Sequence, residues 1–177
     1  MPIPDYQSLM LPILLIARDR LEHPMAQLRS QVSGQLSLSE AELLQRLASD
    51  SQTVFASRVA WAVQYLKQAG VLNAVRRGVY QITERGISLL NQNLPDISAK
   101  TLRQFPEFAE FEQKEQDIGI KVLPTILSDP KSTPEELLEN SYQTLRDALG
   151  HDLLEAMKNG TPAAFEQVVI DLLLAMG

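Results

Sequence analysis

The clearest hydrophobic pattern in the chain falls within residues 53–85. Phe55, Val59, Ala62, Val63 and Leu66 recur at helical spacing and share one arc, which predicts a helix with a single buried stripe. The same spacing puts Ser57, Trp61, Gln64 and Gln68 on the opposite side, with Thr53 and Arg58 near the flanks. Gly70 follows where a helix end needs a left-handed backbone. Two short runs, 71–75 and 79–83, then predict a hairpin with Arg76-Arg77-Gly78 at its tip, the glycine permitting the positive φ of a tight turn.

Helical signals flank this unit. Asp5 is placed to cap a first helix running to about residue 20, with Leu9, Ile13, Ile16 and Ala17 on one face and Pro12 in its first turns. A second helix is expected over 25–32, and Ser37 or Ser39 caps a third, AELLQRL. Thr83 caps the short helix ERGISLLNQ. Residues 98–114 read as two short helices broken before Pro106, and 117–133, with Pro124 and Pro130, as a linker. Thr133-Pro134-Glu135-Glu136 combines a cap, a proline at the first helical position and a capping-box glutamate. That helix is expected to reach residue 158, Gly150 weakening its middle by roughly 1 kcal/mol. Thr161-Pro162 opens a last helix in which Phe165, Val168, Val169, Leu172, Leu173 and Met176 share helical spacing and need a partner surface.

The expected fold is therefore mainly α with a small β-ribbon. A winged helix-turn-helix domain occupies 1–93, a helical extension and linker 94–132, and a C-terminal helical hairpin 133–177. In such a domain a helix lies in the DNA major groove and the basic hairpin, the wing, reaches the adjacent backbone. Double-stranded DNA is the expected partner, and Thr53, Ser57, Arg58, Trp61, Gln64, Lys67, Arg76 and Arg77 are the candidate contacts. Trp61 has two readings: packing against the wing or the 98–114 helices, or stacking on a base.

Composition removes most chemistry. There is no cysteine, which excludes disulfides and thiolate catalysis. His23, beside Pro24, reads as a turn residue. His151, four residues from both Asp147 and Glu155, reads as part of a solvated helix face, and neither histidine has metal-ligand spacing. The acidic run EFAEFEQKEQD also reads as an exposed helix face. No signal peptide and no membrane-spanning run is legible, so a cytoplasmic setting is expected. The net charge of −6 conceals an asymmetry. Residues 1–93 hold nine Lys/Arg and seven Asp/Glu, a net of +2; residues 94–177 hold seven and fifteen, a net of −8. Within 51–90, Arg58, Lys67, Arg76, Arg77 and Arg85 face only Glu84, and such local density governs DNA affinity.

Several blocks carry a family resemblance. IPDYQSLMLPIL, RVAWAVQYLKQAGVL, RRGVYQITERG and LRQFPEFAEF resemble the N-terminal domain of Mrr-type restriction endonucleases. TPEELLENSYQTLRDAL and AAFEQVVIDLLLAMG resemble the segment leading into that family's catalytic domain. The resemblance implies a winged-helix DNA-binding domain joined to a nuclease of the PD-(D/E)XK type, which cuts DNA carrying foreign methylation. It implies Mg²⁺ only for that nuclease domain, whose acidic and lysine-bearing strands are expected beyond residue 177. Phe165-Glu166 matches the family's aromatic-acid pair, and Glu166 alone makes no metal site. The chain is accordingly expected to be a recognition module without catalytic, cofactor-binding or metal-binding residues; homo-oligomerisation is left open. LKQAGVL and RRGVYQIT also resemble the helix-and-wing pattern of bacterial repressors, so a stand-alone transcription regulator is the alternative, and a protein-interaction module a third.

Overall fold

The computed structural model describes residues 3–47, 52–117 and 132–176, so residues 118–131 of the expected linker lie outside the described residues. The chain divides into two compact units, Met1–Leu137 and Leu138–Gly177.

The first unit opens with a turn rather than with the expected helix. Asp5 Oδ1 accepts the Ser8 N–H at 2.9 Å and its Oδ2 accepts the Ser8 hydroxyl, so Asp5 caps a turn that leads into α1 (Met10–Ala17). Pro12 is tolerated because it sits in the first turn of α1, where its missing N–H has no helical partner to lose. The helix stops short of residue 20, where Arg20 adopts a left-handed backbone, φ 63°. A short strand β1 (His23–Pro24), α2 (Met25–Gln35), α3 (Glu40–Leu44) and α4 (Val54–Gln68) follow. Ser39 caps α3 with a complete capping box to Glu42, and the Thr53 hydroxyl accepts the Ala56 N–H to cap α4.

The ribbon consists of β2 (Leu72–Arg76) and β3 (Val79–Ile82), with a bulge between Ala74 and Arg76 and Gly78 at φ 75° in the turn. The strand order is β1-β3-β2, all antiparallel, with His23 opposite Tyr80 and Pro24 opposite Val79. The third strand was not legible in the sequence, since two residues, one of them proline, leave no alternation to read. His23 is therefore a buried strand residue and not a turn residue; its Nε2 lies 2.7 Å from Asp19 Oδ1. The Thr83 hydroxyl accepts the Gly86 N–H to start α5 (Glu84–Leu90) and itself lies in donor range of the Gly70 and Val71 carbonyls. Helices α6 (Ala99–Leu102) and α7 (Pro106–Asp117) break before Pro106 as expected. Mostly helical, with one three-stranded sheet whose β2–β3 hairpin follows α4, the unit is winged-helix-like.

One core serves most of these elements. Met10, Ile13 and Leu14 of α1, Leu28 and Val32 of α2, and the apolar stripe of α4 meet Leu89, Ile97, Leu102 and Phe108. Phe108 and Leu102, within the expected extension, are fully buried in this core.

The first turn of α8 (Pro134–Asn159) belongs to the first unit; the rest of α8 and α9 (Pro162–Met176) make up the second. Helix α8 runs unbroken through Gly150. Leu138, Tyr142, Leu145, Leu149 and Leu153 form one row along it, exposed from end to end, and Phe165, Leu172, Leu173 and Met176 of α9 are exposed as well.

Two glycines make opposite demands on a methyl group. At Gly86 a Cβ would come within 2.5 Å of the Val71 carbonyl oxygen and of Ile82 Cγ1, whereas at Gly150 it would meet nothing. Gly86→Ala is expected to destabilise the first unit by about 1–3 kcal/mol despite alanine's better helix propensity. Gly150→Ala should raise helicity and stability by up to about 1 kcal/mol. Urea denaturation of both variants, followed by circular dichroism, checks the two signs.

Candidate functional site

Helix α4 is not a freely displayed rod. No residue from Val54 to Ala69 is fully exposed, because the helix is covered on two sides. The expected stripe of Phe55, Val59, Ala62, Val63 and Leu66 faces the core. A second row is also covered: Val54, Ser57 and Tyr65 are buried, and Arg58 and Trp61 are half-buried. Tyr65 sits at the centre of an aromatic cluster, its ring centroid 5.2 Å from Tyr6, 5.4 Å from Phe108, 6.0 Å from Phe111 and 6.2 Å from Trp61. The signal for this row was present in the sequence: Val54, Trp61 and Tyr65 are spaced by seven and four residues, which brings apolar groups onto one helix face.

The candidate contacts separate by position. The outward placement expected for Ser57 is corrected, since its side chain is fully buried. Its hydroxyl donates to Glu135 Oε2 at 2.9 Å, an oxygen that also accepts from Gln52 Nε2 at 2.8 Å. Arg58 is not on an open flank either. Its Nε donates to Glu136 Oε1 at 2.9 Å, and its Nη1 donates to the carbonyls of Ile3 and Pro4. Both acids lie in the first turn of α8, 77 and 78 residues after Arg58, at a distance no local pattern reveals. Thr53 is engaged through its side chain as the α4 cap. Trp61 packs edge-on against Tyr65. Gln64 and Lys67 are half-exposed on the uncovered side, together with Ala56 and Ala60, which the sequence reading did not single out.

The hairpin behaves differently. Residues 73–77 are all exposed, so β2 extends beyond the body with both faces open. Arg76 pairs with Glu22 at 3.2 Å, while its side chain stays 71% exposed; Arg77 has no ion pair among the described residues. Lys67 likewise has none among the described residues.

Spatial neighbours thus revise the linear charge count. Arg85 is spoken for by a bidentate pair with Glu107, at 3.0 Å for both bonds, by a bond from Nη1 to the Ala69 carbonyl, and by the face of Phe105. Its guanidinium, bonding to the Glu107 carboxylate, holds that carboxyl below the ordinary value of 4.5, with a smaller contribution from a backbone hydrogen bond. Of the five cations counted in 51–90, two are bound through acids from 107 and 136, one is paired loosely, and two have no ion pair among the described residues.

Comparison with known proteins is consistent with this architecture. The Mrr N-terminal domain family matches residues 6–92. Residues 6–92 are an Mrr-type N-terminal domain. The whole chain aligns at 25% identity over 184 positions with the type IV methyl-directed restriction enzyme EcoKMrr of Escherichia coli (strain K12). The chain spans 60% of that relative's length. No solved structure matches. Among the described residues no three His, Asp or Glu side chains converge to hold a metal, and no described helix is long and apolar enough to cross a membrane.

The Arg85–Glu107 pair ties α7 to α5 across the end of α4. A carboxyl held low in the folded chain adds stability above 4.5, and that contribution is lost as pH falls through the lowered folded value. Glu107→Gln is therefore expected to lower the melting temperature slightly at pH 7. The gap to the wild type should narrow as pH falls below 4.5 and through the lowered folded value, which thermal melts across pH 3–7 would show.

Proposed function

We propose that the Mrr-type domain binds double-stranded DNA as the specificity module of a methylation-dependent restriction system. The observation that carries this reading is the exposed β2–β3 hairpin, with Arg76 and Arg77 at its tip, immediately after α4. Arg77 is unpaired among the described residues. The Arg76–Glu22 pair is solvent-exposed and hence weak, so a phosphate can replace the glutamate at little cost. The relative's name, a methyl-directed restriction enzyme, supports DNA as the partner and methylation as the feature read.

On α4 the reading assigns Lys67 to phosphate and Gln64 to base edges, its amide fork suiting adenine. Trp61 is assigned to packing, with no base contact. The second unit is proposed to lead into a nuclease domain, and the exposed apolar row on α8 fits a surface that such a domain covers. The nuclease's Mg²⁺-binding carboxylates are proposed to lie in the part of the relative that this chain does not span, so cleavage is not assigned to these residues.

Arg76→Ala/Arg77→Ala is expected to weaken binding to every duplex alike. It should also flatten the slope of log affinity against log salt by about two, one unit for each lost phosphate contact. Fluorescence anisotropy with methylated and plain duplexes at several salt concentrations measures both effects. A slope unchanged by the double substitution would remove the wing from the interface. Equal affinity for methylated and plain duplex, with preference for a palindrome, would turn the reading toward a transcription regulator.

A further inference from the structure

We infer that the first turn of α8 is an autoinhibitory clamp, which occupies with two carboxylates the donors around the start of α4 that a DNA phosphate would otherwise take. The inference rests on the DNA-binding reading and adds to it a competition within the chain itself.

Three donors converge at the beginning of α4: Gln52 Nε2, the Ser57 hydroxyl and Arg58 Nε. Each is bonded to a carboxylate oxygen of Glu135 or Glu136 at 2.8–2.9 Å. Amide, hydroxyl and guanidinium donors beside a helix N-terminus are the groups that hold a phosphate, and the partial positive charge of that terminus favours any anion placed there. A carboxylate presents the same kind of anionic oxygen to arginine as a phosphate does. The two acids therefore stand in for nucleic acid on the helix that precedes the wing.

The clamp is a defined structure. Thr133 is fully buried; its N–H donates to Glu136 Oε2 at 2.8 Å, and its hydroxyl accepts the Glu136 N–H at 3.2 Å. Glu136 divides its oxygens, one completing the cap of α8 and the other binding Arg58. The Arg58–Glu136 side chains are only 19% and 10% exposed, so water screens the pair little and Arg58 is not released without a replacement anion. An incoming phosphate supplies one. Arg58 Nη1 is anchored separately, on the Ile3 and Pro4 carbonyls, by bonds that do not involve the carboxylates.

The test uses the 177-residue chain and a fluorescent duplex. Glu135→Gln/Glu136→Gln keeps hydrogen-bonding capacity, including the glutamine that a capping box accepts, and removes both charges. Its charge-matched control is Glu40→Gln/Glu110→Gln, at two exposed acids away from the clamp. The clamp variant is expected to bind about five- to fifty-fold more tightly than this control, in the range usual for intramolecular coupling. A closed form comes from Ser57→Cys/Glu135→Cys joined by a short thiol-reactive bridge, the chain having no other cysteine. Both forms lack the Ser57 hydroxyl and the Glu135 carboxylate, so they are compared with each other, and the bridged protein is expected to bind severalfold more weakly than the unbridged one. Equal affinity of the clamp variant and its control, or a bridged protein that binds as well as the unbridged one, would overturn the clamp and leave wing-dependent DNA binding in place. Absence of salt-sensitive binding in the wild type and the clamp variant alike would sink the DNA reading and the clamp together.

Discussion

Every feature of the first unit depends on the burial of α4 from two directions. One side carries the apolar stripe into the core beside α1, and the other carries Tyr65 among Tyr6, Phe108 and Phe111. Burying a large aromatic or aliphatic side chain contributes about 1.5–3 kcal/mol, so neither side is a minor contact. A helix held in this way cannot roll. The narrow strip left to solvent, with Ala56, Ala60, Gln64 and Lys67, is thereby fixed in direction relative to the hairpin that follows. Ala56 and Ala60 are small, so a partner can approach the helix backbone closely there, and the strip itself is sparing in chemical contacts.

That constraint explains why the sequence was informative about elements and less so about the surface. Caps, breaks and turns are written in a few adjacent residues: Thr53, Thr83, Thr133, Pro106, Gly70 and Gly78 each act as their local chemistry requires. The mainly α fold with a basic ribbon was legible from these and from one apolar stripe. The two-residue strand β1 was not, since its identity as a strand comes from Tyr80 and Val79 across the sheet and from nothing in His23-Pro24 itself. Ser57 was misplaced for a related reason. A small polar residue opposite an apolar stripe reads as solvated, unless it is known that a carboxylate from residue 135 covers it.

Charge was the least legible property, and the reason is physical. A linear window counts cations that are near one another along the chain, whereas a phosphate experiences only those left unscreened in space. Arg58 and Arg85 are matched by Glu136 and Glu107, both from the acidic half of the chain, so the asymmetry between +2 and −8 is partly annulled where the two halves meet inside the first unit. The wing escapes this cancellation. Residues 73–77 extend beyond the folded body, and among the described residues only Glu22 pairs with Arg76.

The two ion pairs also differ in kind. Arg85–Glu107 is bidentate, lies at the surface and is reinforced by an aromatic face and a backbone carbonyl, features that serve to fasten α7 in place. Arg58–Glu136 is largely withdrawn from water and shares its glutamate with a helix cap. A withdrawn pair is costly to break but not especially favourable to form, since desolvation of both charges offsets most of their attraction. Its net contribution to stability is therefore small, while its specificity for an anionic partner at Arg58 is high. Such a balance suits an exchangeable contact better than a permanent fastening, because one anion replaces another without leaving the arginine bare.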